Sequence, residues 1–485
     1  MNKHGFRTTR PLRALALALV VAGCAPAPSV GQIGPPDLRP IEVAPEPLMQ
    51  LHPKLCWMTE QKVRGIWISD DLFEPYDDGP KTKAQALVDA GFNVVRVKMQ
   101  VNSDGTHSGT VDKTKPIDIK RDRSKSTDLE TRLAANVQEA RRVGLTLMIG
   151  WNYGTHHLEP YRKYRNFKGA LHTYSTCLLD ETYIPGQHIG RWATRIAQGG
   201  ADAMVIDMEM YGSDNAWPEG ACTCDHCFTT YVKEYAPQWE TVYDQVAPET
   251  RGAWLTEHKA NEHYAQFTAK RIEALYDGIR ERCQRINPAF FFGVAPQLFH
   301  FPGVERGLGT PSVPCLIFNE HEYHNGPYRG SFLGTKIARE SLPALFVCGL
   351  WVAVQSPQMV ADNALQALLY ADGWWAWYGT ALLNYIGPGA DKETLPYPYG
   401  RWGTRSASDY LNRIQAVHAR VDDLLTQPKD QWPARRDGKI LWLKAKIAKI
   451  QAQIADNPTP ELEKELAQFI ADQNRYMTYV RAGGY

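Results

Sequence analysis

The chain has 485 residues, of which 44% are hydrophobic and 22% charged, and its formal net charge is +1. This composition is typical of a globular protein with one large domain plus extensions. A near-neutral charge without a basic stripe argues against a protein that binds nucleic acid.

The first 24 residues predict an export signal. Basic residues precede an apolar run over residues 14–22, which is too short to span a bilayer as a mature helix. The run ends in Val21-Ala22-Gly23-Cys24. This ending resembles the lipobox of bacterial lipoproteins, in which the cysteine is lipidated and becomes the new N-terminus. The resemblance implies an exported, lipid-anchored protein, at the outer membrane of a Gram-negative cell and facing the periplasm or the cell surface. A plain secretory signal with an incidental cysteine is the alternative.

Residues 25–55 are rich in proline and have little apolar periodicity. They predict an extended tether between the lipid and the folded domain. At the other end of the chain, residues 439–454 and 460–480 predict a helical hairpin within a segment over residues 431–485. Thr459 is expected to cap the second helix, with Pro460 at its first position. We interpret the hairpin as packed on the main domain, because its repeat is short for a partner-binding coiled coil.

Between these segments, short apolar runs alternate with helical patterns. The runs predict eight strands, over residues 63–69, 92–99, 145–152, 203–210, 290–296, 314–323, 344–352 and 373–379. Strand–helix alternation of this length predicts an α/β fold, a (β/α)8 TIM barrel with enlarged βα loops over residues 56–430. An open doubly wound sheet fits less well, because its first strand is usually followed by a glycine-rich phosphate turn, and residues 68–71 are not such a turn. Residues 161–168 are predicted as part of a long loop.

The fourth predicted strand ends in acidic residues. If residues 203–210 are extended, Val205, Asp207 and Glu209 share one face, and the opposite face is apolar. Active sites of parallel barrels lie at the carboxyl ends of the strands. Like charge and burial would raise one pKa of the pair, so we predict Glu209 as the general acid and Asp207 as the residue that tunes it. A surface strand with two solvated carboxylates is the alternative.

A second acidic strand end follows at Glu320 and Glu322. Both share a face with Leu316 and Phe318. Glutamates pressed against outer helices are costly unless they are paired, which favours the face that points to the barrel mouth. Alternatively, the strand ends by Asn319 and leaves both glutamates in a solvated loop.

Two carboxylate sites on separate strand ends are the arrangement that glycoside hydrolysis needs. One acid protonates the leaving oxygen, and an opposing carboxylate attacks the sugar or activates water. We therefore predict a glycosidase that cleaves an oligo- or polysaccharide, with Glu209 as acid/base and Glu320 or Glu322 as nucleophile or base.

The acidic strand also resembles a known signature. Its pattern, Asp202-x4-Asp207-x-Glu209, is similar to the strand-4 motif of glycoside hydrolase family 18, the chitinase-type barrels, which reads Asp-x-x-Asp-x-Asp-x-Glu. Val205 replaces the middle aspartate. Tyr323 resembles the strand-6 tyrosine of that family, without the aspartate that usually follows it. The resemblance implies a glycosidase-like barrel in which Glu209 is the acid.

Aromatic residues at the predicted strand ends suggest a sugar-binding cleft. Sugar rings stack on indoles, and the predicted substrate contacts are Trp67, Trp151, Asn152, Tyr211, Tyr323, Trp351 and Trp375. Core packing is the alternative for each tryptophan, above all for those over residues 374–377. Arg96 and Lys98 are predicted to point inward, as charge partners of Asp207 or as contacts to an acidic sugar.

Nine cysteines include Cys24 and a dense motif, Cys222-Thr223-Cys224-Asp225-His226-Cys227. Its three cysteines and His226 could form a structural zinc site, or take Cys177 as a fourth ligand. In an exported protein a disulfide is equally favoured. We expect no catalytic metal and no cofactor.

The leading hypothesis is thus a glycosidase whose partners are a carbohydrate and, through the lipid alone, a membrane. A non-catalytic, glycan-binding barrel lipoprotein is the second hypothesis. A metal-dependent hydrolase centred on the cysteine motif is the third.

Overall fold

The structure is a computed structural model that describes residues 38–41, 49–69, 71–76, 79–98, 126–152, 162–183, 189–208, 221–296, 302–320, 342–352, 355–377, 379–384, 407–434 and 438–481. Eight parallel strands close into a barrel in the order β1-β10-β9-β8-β7-β6-β3-β2. These strands are β1 (Val63–Ile68), β2 (Val94–Val97), β3 (Thr146–Asn152), β6 (Ala203–Asp207), β7 (Phe291–Ala295), β8 (Cys315–Asn319), β9 (Ala344–Trp351) and β10 (Gly373–Trp377). They coincide with the eight predicted strands, and the predicted TIM barrel is confirmed.

Two further strands, β4 (Lys163–Arg165) and β5 (Leu171–Thr176), form an antiparallel hairpin where a loop was predicted. The described helices are α1 (Lys83–Asp89), α2 (Ser126–Val143), α3 (Ile189–Gln198), α4 (Asp225–Tyr235), α5 (Arg251–Glu257), α6 (Asn261–Ile286), α7 (Pro302–Leu308), α8 (Pro357–Tyr370), α9 (Gly379–Asn384), α10 (Ala407–Leu425), α11 (Gly438–Asp456) and α12 (Pro460–Arg481). The backbone N–H of Leu462 donates to Thr459 Oγ1 at 3.3 Å, so Thr459 caps α12 as predicted. Within the described ranges, no helix combines the length and apolar character needed to cross a bilayer.

The sequences of the strands are almost continuously apolar because both faces of each strand are buried. On β6, Val205 belongs to the core inside the barrel, whereas Met204 and Ile206 belong to the core between the strands and the outer helices. The alternation predicted for this strand is therefore observed, and it turns Asp207 to the interior face.

The lower end of the barrel, where the strands begin, is held by polar side chains that precede strands. Asn93 Oδ1 accepts the backbone N–H of Arg64 at 2.8 Å, and Asp372 Oδ2 accepts that of Phe346 at 2.8 Å. Asp202 Oδ2 accepts the N–H of Leu147 at 2.9 Å. In each case the acceptor lies just before one strand and the donor lies on the neighbouring strand, so the contact ties the two together.

Residues 49–62 cover this lower end. The backbone N–H of Gln50 donates to Pro311 O at 3.0 Å, and that of His52 donates to Ser312 O at 2.8 Å. The side chains of Leu55 and Met58 are buried against the interior core of the barrel. We call residues 49–62 the plug.

A separate aromatic core takes Phe167 from the segment before β6 and its other buried residues from the segment between β6 and β7. It contains buried side chains of α4, α5 and the start of α6, including Phe228, Tyr231 and Tyr264. Residues 38–41, part of the predicted tether, pack on it, because Arg39 N donates to Tyr235 O at 3.3 Å and His263 Nε2 donates to Arg39 O at 2.8 Å. We call this unit, residues 162–179 and 221–268, the inserted subdomain.

Candidate active site

Asp207 lies at the carboxyl end of β6, the fourth strand of the barrel in chain order. Its carboxylate is nearly buried, and its Oδ2 is 3.7 Å from Nη2 of Arg96, which is also buried. Strand β2 carries Arg96 on its interior face, two strands away from β6 in the barrel order. The predicted charge pairing between Arg96 and Asp207 is therefore confirmed. Because a nearby guanidinium favours the charged form of a carboxyl group, the pair favours an ionised Asp207.

The Arg96 side chain occupies room that a glycine leaves. A Cβ atom added to Gly150 on β3 would lie 2.0 Å from Arg96 Nε. The guanidinium also lies over the indole of Trp67, with Cζ 3.9 Å from the ring centroid, which is a cation–π contact. The sequence had singled out Arg96 but gave no signal for Gly150, whose role depends on a contact between neighbouring strands.

Glu320 directly follows β8, the sixth strand of the barrel. The strand ends at Asn319, as the alternative reading required, yet Glu320 is only 7% exposed and does not lie in a solvated loop. Leu316 and Phe318, four and two residues earlier, belong to the interior core of the barrel. The side chains of β8 alternate, so Glu320 continues this interior face at the mouth, the end of the barrel where the strands finish.

Three aromatic rings from different strands form a floor one layer below the mouth. Trp67 and Trp375 have ring centroids 3.9 Å apart, and Phe318 lies 5.7 Å from each of them. Trp67 is 3% exposed and Trp375 is fully buried. These two predicted substrate contacts present almost no surface to a ligand, because they fill the barrel interior as core residues do.

Trp351 and Trp377 lie one layer nearer to the mouth. They end the neighbouring strands β9 and β10 and are register partners. Both are half-buried against the interior core. The rings of Trp67 and Trp377 meet edge to face at 5.5 Å. An indole that is supported on one side and accessible on the other suits stacking on a sugar ring.

Lys98 follows β2 two residues after Arg96 and is half-buried. Its pKa is lowered, mainly by burial and further by the positive charge of Arg96, while the charge of Asp207 opposes the shift. The mouth thus carries a cationic pair beside a carboxylate.

Several predicted site residues lie outside the described residues: Cys24, Glu209, Tyr211, Glu322 and Tyr323. Trp151 and Asn152 lie in β3, and Asn152 is the register partner of Asp207 on β6. Asp202, the first acid of the family 18 pattern, lies at the lower end of the barrel. There it accepts the N–H of Leu147, and burial raises its pKa.

The cysteine motif forms a compact group in the inserted subdomain. The potential ligand atoms of Cys177, Cys222, Cys224 and Cys227 all lie within 4.8 Å of one another. The sulfur of Cys227 is 3.3 Å from that of Cys177 and 3.5 Å from that of Cys224. The sequence allowed either His226 or Cys177 as the fourth ligand. The group contains Cys177, and His226 does not belong to it.

No protein-family model matches this sequence, and no curated protein sequence shows significant similarity to it. Solved structures with a similar fold are glycoside hydrolases with (β/α)8 barrels. One is a glycoside hydrolase family 5 enzyme from Prevotella bryantii in complex with a xyloglucan tetradecasaccharide. It has 11% identity and a TM-score of 0.37, and the match covers 74% of this chain and 97% of that one.

Two others are β-galactosidases. The enzyme from Marinomonas ef1 has 10% identity and a TM-score of 0.47, with 76% of this chain and 61% of that chain covered. The enzyme from the haloarchaeon Halorubrum lacusprofundi has 11% identity and a TM-score of 0.45, with 76% and 58% covered. The match thus spans less than two thirds of each β-galactosidase. Similarity at this level concerns the fold alone. It does not extend to the family 18 motif of β6.

Proposed function

We propose that this protein is a glycoside hydrolase that cleaves an oligo- or polysaccharide at the mouth of its barrel. The observation that carries the proposal is the position of two buried carboxylates, Asp207 and Glu320. They lie at the carboxyl ends of the fourth and sixth barrel strands, on the interior face, above a closed aromatic floor. Catalytic residues of TIM-barrel enzymes occupy such positions. Glycoside hydrolysis requires two carboxyl groups on opposite sides of the substrate, and the acidic residues at or just past these two strand ends can supply them.

The environment of Asp207 supports the division of roles. A carboxylate paired with Arg96 is a poor proton donor, because the guanidinium favours its charged form. Asp207 is therefore the residue that tunes its neighbour. Glu209, two positions further along the chain, is the general acid/base in this proposal. Glu320 or Glu322 supplies the nucleophile or the base.

The aromatic residues at the mouth support a carbohydrate as the substrate. Trp351 and Trp377 combine partial exposure with support from the interior core. Their indoles are the candidate platforms for a sugar ring, whereas Trp67 and Trp375 hold the floor beneath. Arg96 and Lys98 place positive charge beside the acids, which also suits a sugar that carries a carboxylate.

The deciding experiment compares the wild-type chain with Glu209→Gln on a broad panel of polysaccharides, with release of reducing ends as the readout. We expect Glu209→Gln to lower kcat by at least about 100-fold, since general acid–base catalysis typically contributes 10²- to 10⁴-fold. The exposed Glu461→Gln on α12 is the matched control and should keep full activity.

Two outcomes would contradict this proposal. Full activity of Glu209→Gln would remove Glu209 from the chemistry. If the wild-type chain binds glycans without releasing reducing ends, the protein is a glycan-binding barrel instead of an enzyme.

We further propose that the protein is exported and held at a membrane by a lipid on Cys24, as the sequence around that residue suggests. The full chain should then sediment with membranes and enter the detergent phase on extraction. Cys24→Ser should move the protein to the soluble fraction, whereas Cys56→Ser should leave it with the membrane. A wild-type chain found in the soluble fraction would overturn this part of the proposal.

A further inference from the structure

We propose that Cys177, Cys222, Cys224 and Cys227 form a structural Zn²⁺ site in the inserted subdomain. All four potential ligand atoms lie within 4.8 Å of one another, and three of the four residues are buried. A sulfur-only ligand set favours Zn²⁺ over hard cations such as Mg²⁺ and Ca²⁺, and four protein ligands leave no open position for catalysis.

The separations of the sulfurs suit a tetrahedral centre. A Zn–S bond of about 2.3 Å places the sulfurs of a tetrahedron about 3.8 Å apart. The sulfur of Cys224 lies 3.8 Å from that of Cys177 and 3.5 Å from that of Cys227. Cys177 and Cys227 are closer, at 3.3 Å. Shifts of a few tenths of an ångström would bring these three separations to the tetrahedral value, and the sulfur of Cys222 lies within 4.8 Å of the other three.

Backbone N–H groups lie close to two of the sulfurs. The backbone N–H of Leu179 lies 3.4 Å from the sulfur of Cys177, and that of Arg165 lies 3.5 Å from the sulfur of Cys222. Such donors orient and stabilise metal-bound thiolates. Cys224 is the N-cap residue of the 11-residue helix α4, and Cys227 lies in its first turn. Both residues therefore lie at the positive end of the helix dipole.

A disulfide explains this arrangement less well. One disulfide joins two sulfurs, whereas here four sulfurs from two distant parts of the chain converge on one point. No S–S bond joins any two of the eight cysteines within the described ranges. Two disulfides in this space would satisfy the four sulfurs as well, so disulfide bonding is the outcome that the experiment must separate from metal binding.

The site would join two segments of the inserted subdomain, one before β6 and one after it. After Met208 at the end of the acidic strand, the described chain resumes at Ala221, next to Cys222. Thr223 N donates to Arg165 O at 2.9 Å, and Arg251 Nη1 donates to Thr223 O at 3.1 Å. A metal at the four sulfurs would therefore fasten the hairpin of β4 and β5 to helix α4.

The test measures metal in the full-length chain, purified in detergent without chelator. We expect elemental analysis to find about one zinc per chain in the wild type and in Cys283→Ser, whose cysteine is buried on α6 away from the group. Cys224→Ser should lose most of the zinc. X-ray absorption at the zinc edge should show four sulfurs at about 2.3 Å. A strong zinc chelator should lower the unfolding temperature of the wild type and of Cys283→Ser but not that of Cys224→Ser.

Three results would overturn the proposal. The first is a wild-type chain without metal whose non-reducing peptide map shows disulfides among the four cysteines. The second is a metal-free chain in which all four thiols can be alkylated. The third is a zinc ion that Cys224→Ser retains in full. If Cys224→Ser fails to fold, the metal content, the absorption spectrum and the chelator response of the wild type decide the matter.

Discussion

The two ends of the barrel use the same kinds of side chain in different ways. At the lower end, Asp202 and Asp372 each accept a backbone N–H from a neighbouring strand, and so does the amide of Asn93. The plug covers the interior on this side. At the mouth, Asp207 faces a guanidinium on a strand two positions away, and Glu320 continues an interior row of side chains.

This difference shows what a buried acid does in such a fold. A carboxylate that accepts a main-chain N–H of the adjoining strand has a structural role, which removal would reveal as lost stability. A carboxylate held among side chains at the carboxyl ends of the strands is available for chemistry. The acidic residues around β6 include both kinds, because Asp202 lies at one end of the strand and Asp207 at the other.

The largest expected effect tests the mouth. Replacing Glu320 by Gln keeps the shape of the side chain and removes its charge. We expect kcat on the preferred polysaccharide to fall by about 10²- to 10⁴-fold, with the free energy of unfolding changed by less than about 1 kcal/mol. Steady-state kinetics and urea denaturation measure the two quantities. A large loss of stability with unchanged kcat would show that Glu320 has a structural role and no catalytic one.

The lower end should behave in the opposite way. Asp202→Ala leaves the N–H of Leu147 without its acceptor, which should cost about 1–3 kcal/mol of stability. Activity per folded molecule should stay the same. Urea denaturation at pH 7 and kinetics check this pair of expectations. Lost activity in a stable Asp202→Ala chain would contradict the assignment of a structural role to the lower end and a chemical role to the mouth.

Asp202→Asn is the matched control, because its amide oxygen can still accept that bond. Burial raises the pKa of Asp202, so the folded state holds a proton that the unfolded state releases. The stability contributed by Asp202 therefore decreases as the pH rises from the unfolded pKa through the folded one. Asparagine lacks this loss, and we expect Asp202→Asn to be at least as stable as the wild type at pH 7.

A further effect, confined to acidic pH, concerns a histidine near the lower end. His418 is buried, accepts the indole N–H of Trp374 at 3.0 Å and donates to Ala90 O at 2.9 Å. Burial, with a contribution from Arg64, lowers the pKa of His418 to about 3. An unfolded histidine titrates near about 6.5. Between these values the unfolded chain binds one more proton, so stability is present above pH 6.5 and is lost as the pH falls toward 3.

His418→Gln should remove this pH dependence. Between pH 6.5 and pH 4.5, the slope of stability against pH should fall by up to about 1.4 kcal/mol per pH unit relative to the wild type. Urea denaturation at several pH values measures that slope, with the half-buried His258→Gln as control. An unchanged slope in His418→Gln would show that His418 has the same pKa in the folded and the unfolded chain.

The barrel could be predicted from the sequence because its strands are buried on both faces. Each strand therefore stands out as an apolar run, and the period of two along β6 correctly turned Asp207 inward. The apolar pattern does not show how deep a side chain lies inside the barrel. Trp67 and Trp375 seemed to line the mouth, but they lie one layer below it, because depth depends on how the strands are staggered.

The inserted subdomain was harder to predict. Residues 161–168 mix cations with aromatic side chains, and β4 is only three residues long, so no alternation marked the hairpin. Its partners lie in α4, α5 and α6, far along the sequence. The fourth cysteine shows the same limit: Cys177 and Cys227 are 50 residues apart, and only the fold decides between Cys177 and His226.

Closure of the barrel has a consequence for how the protein forms. Residue Val63 on the first strand pairs with Gly373 on the last, and the plug bonds to Pro311 and Ser312. At about 5–20 residues per second, synthesis of the intervening chain takes roughly 15–60 s. During most of that time the plug and one edge of the first strand lack their partners, although β2 is already available to the other edge. Bringing such distant segments together is slow. A barrel that closes only after its last strand exists stays open for most of its synthesis, which suits a chain whose first residues predict passage through a membrane.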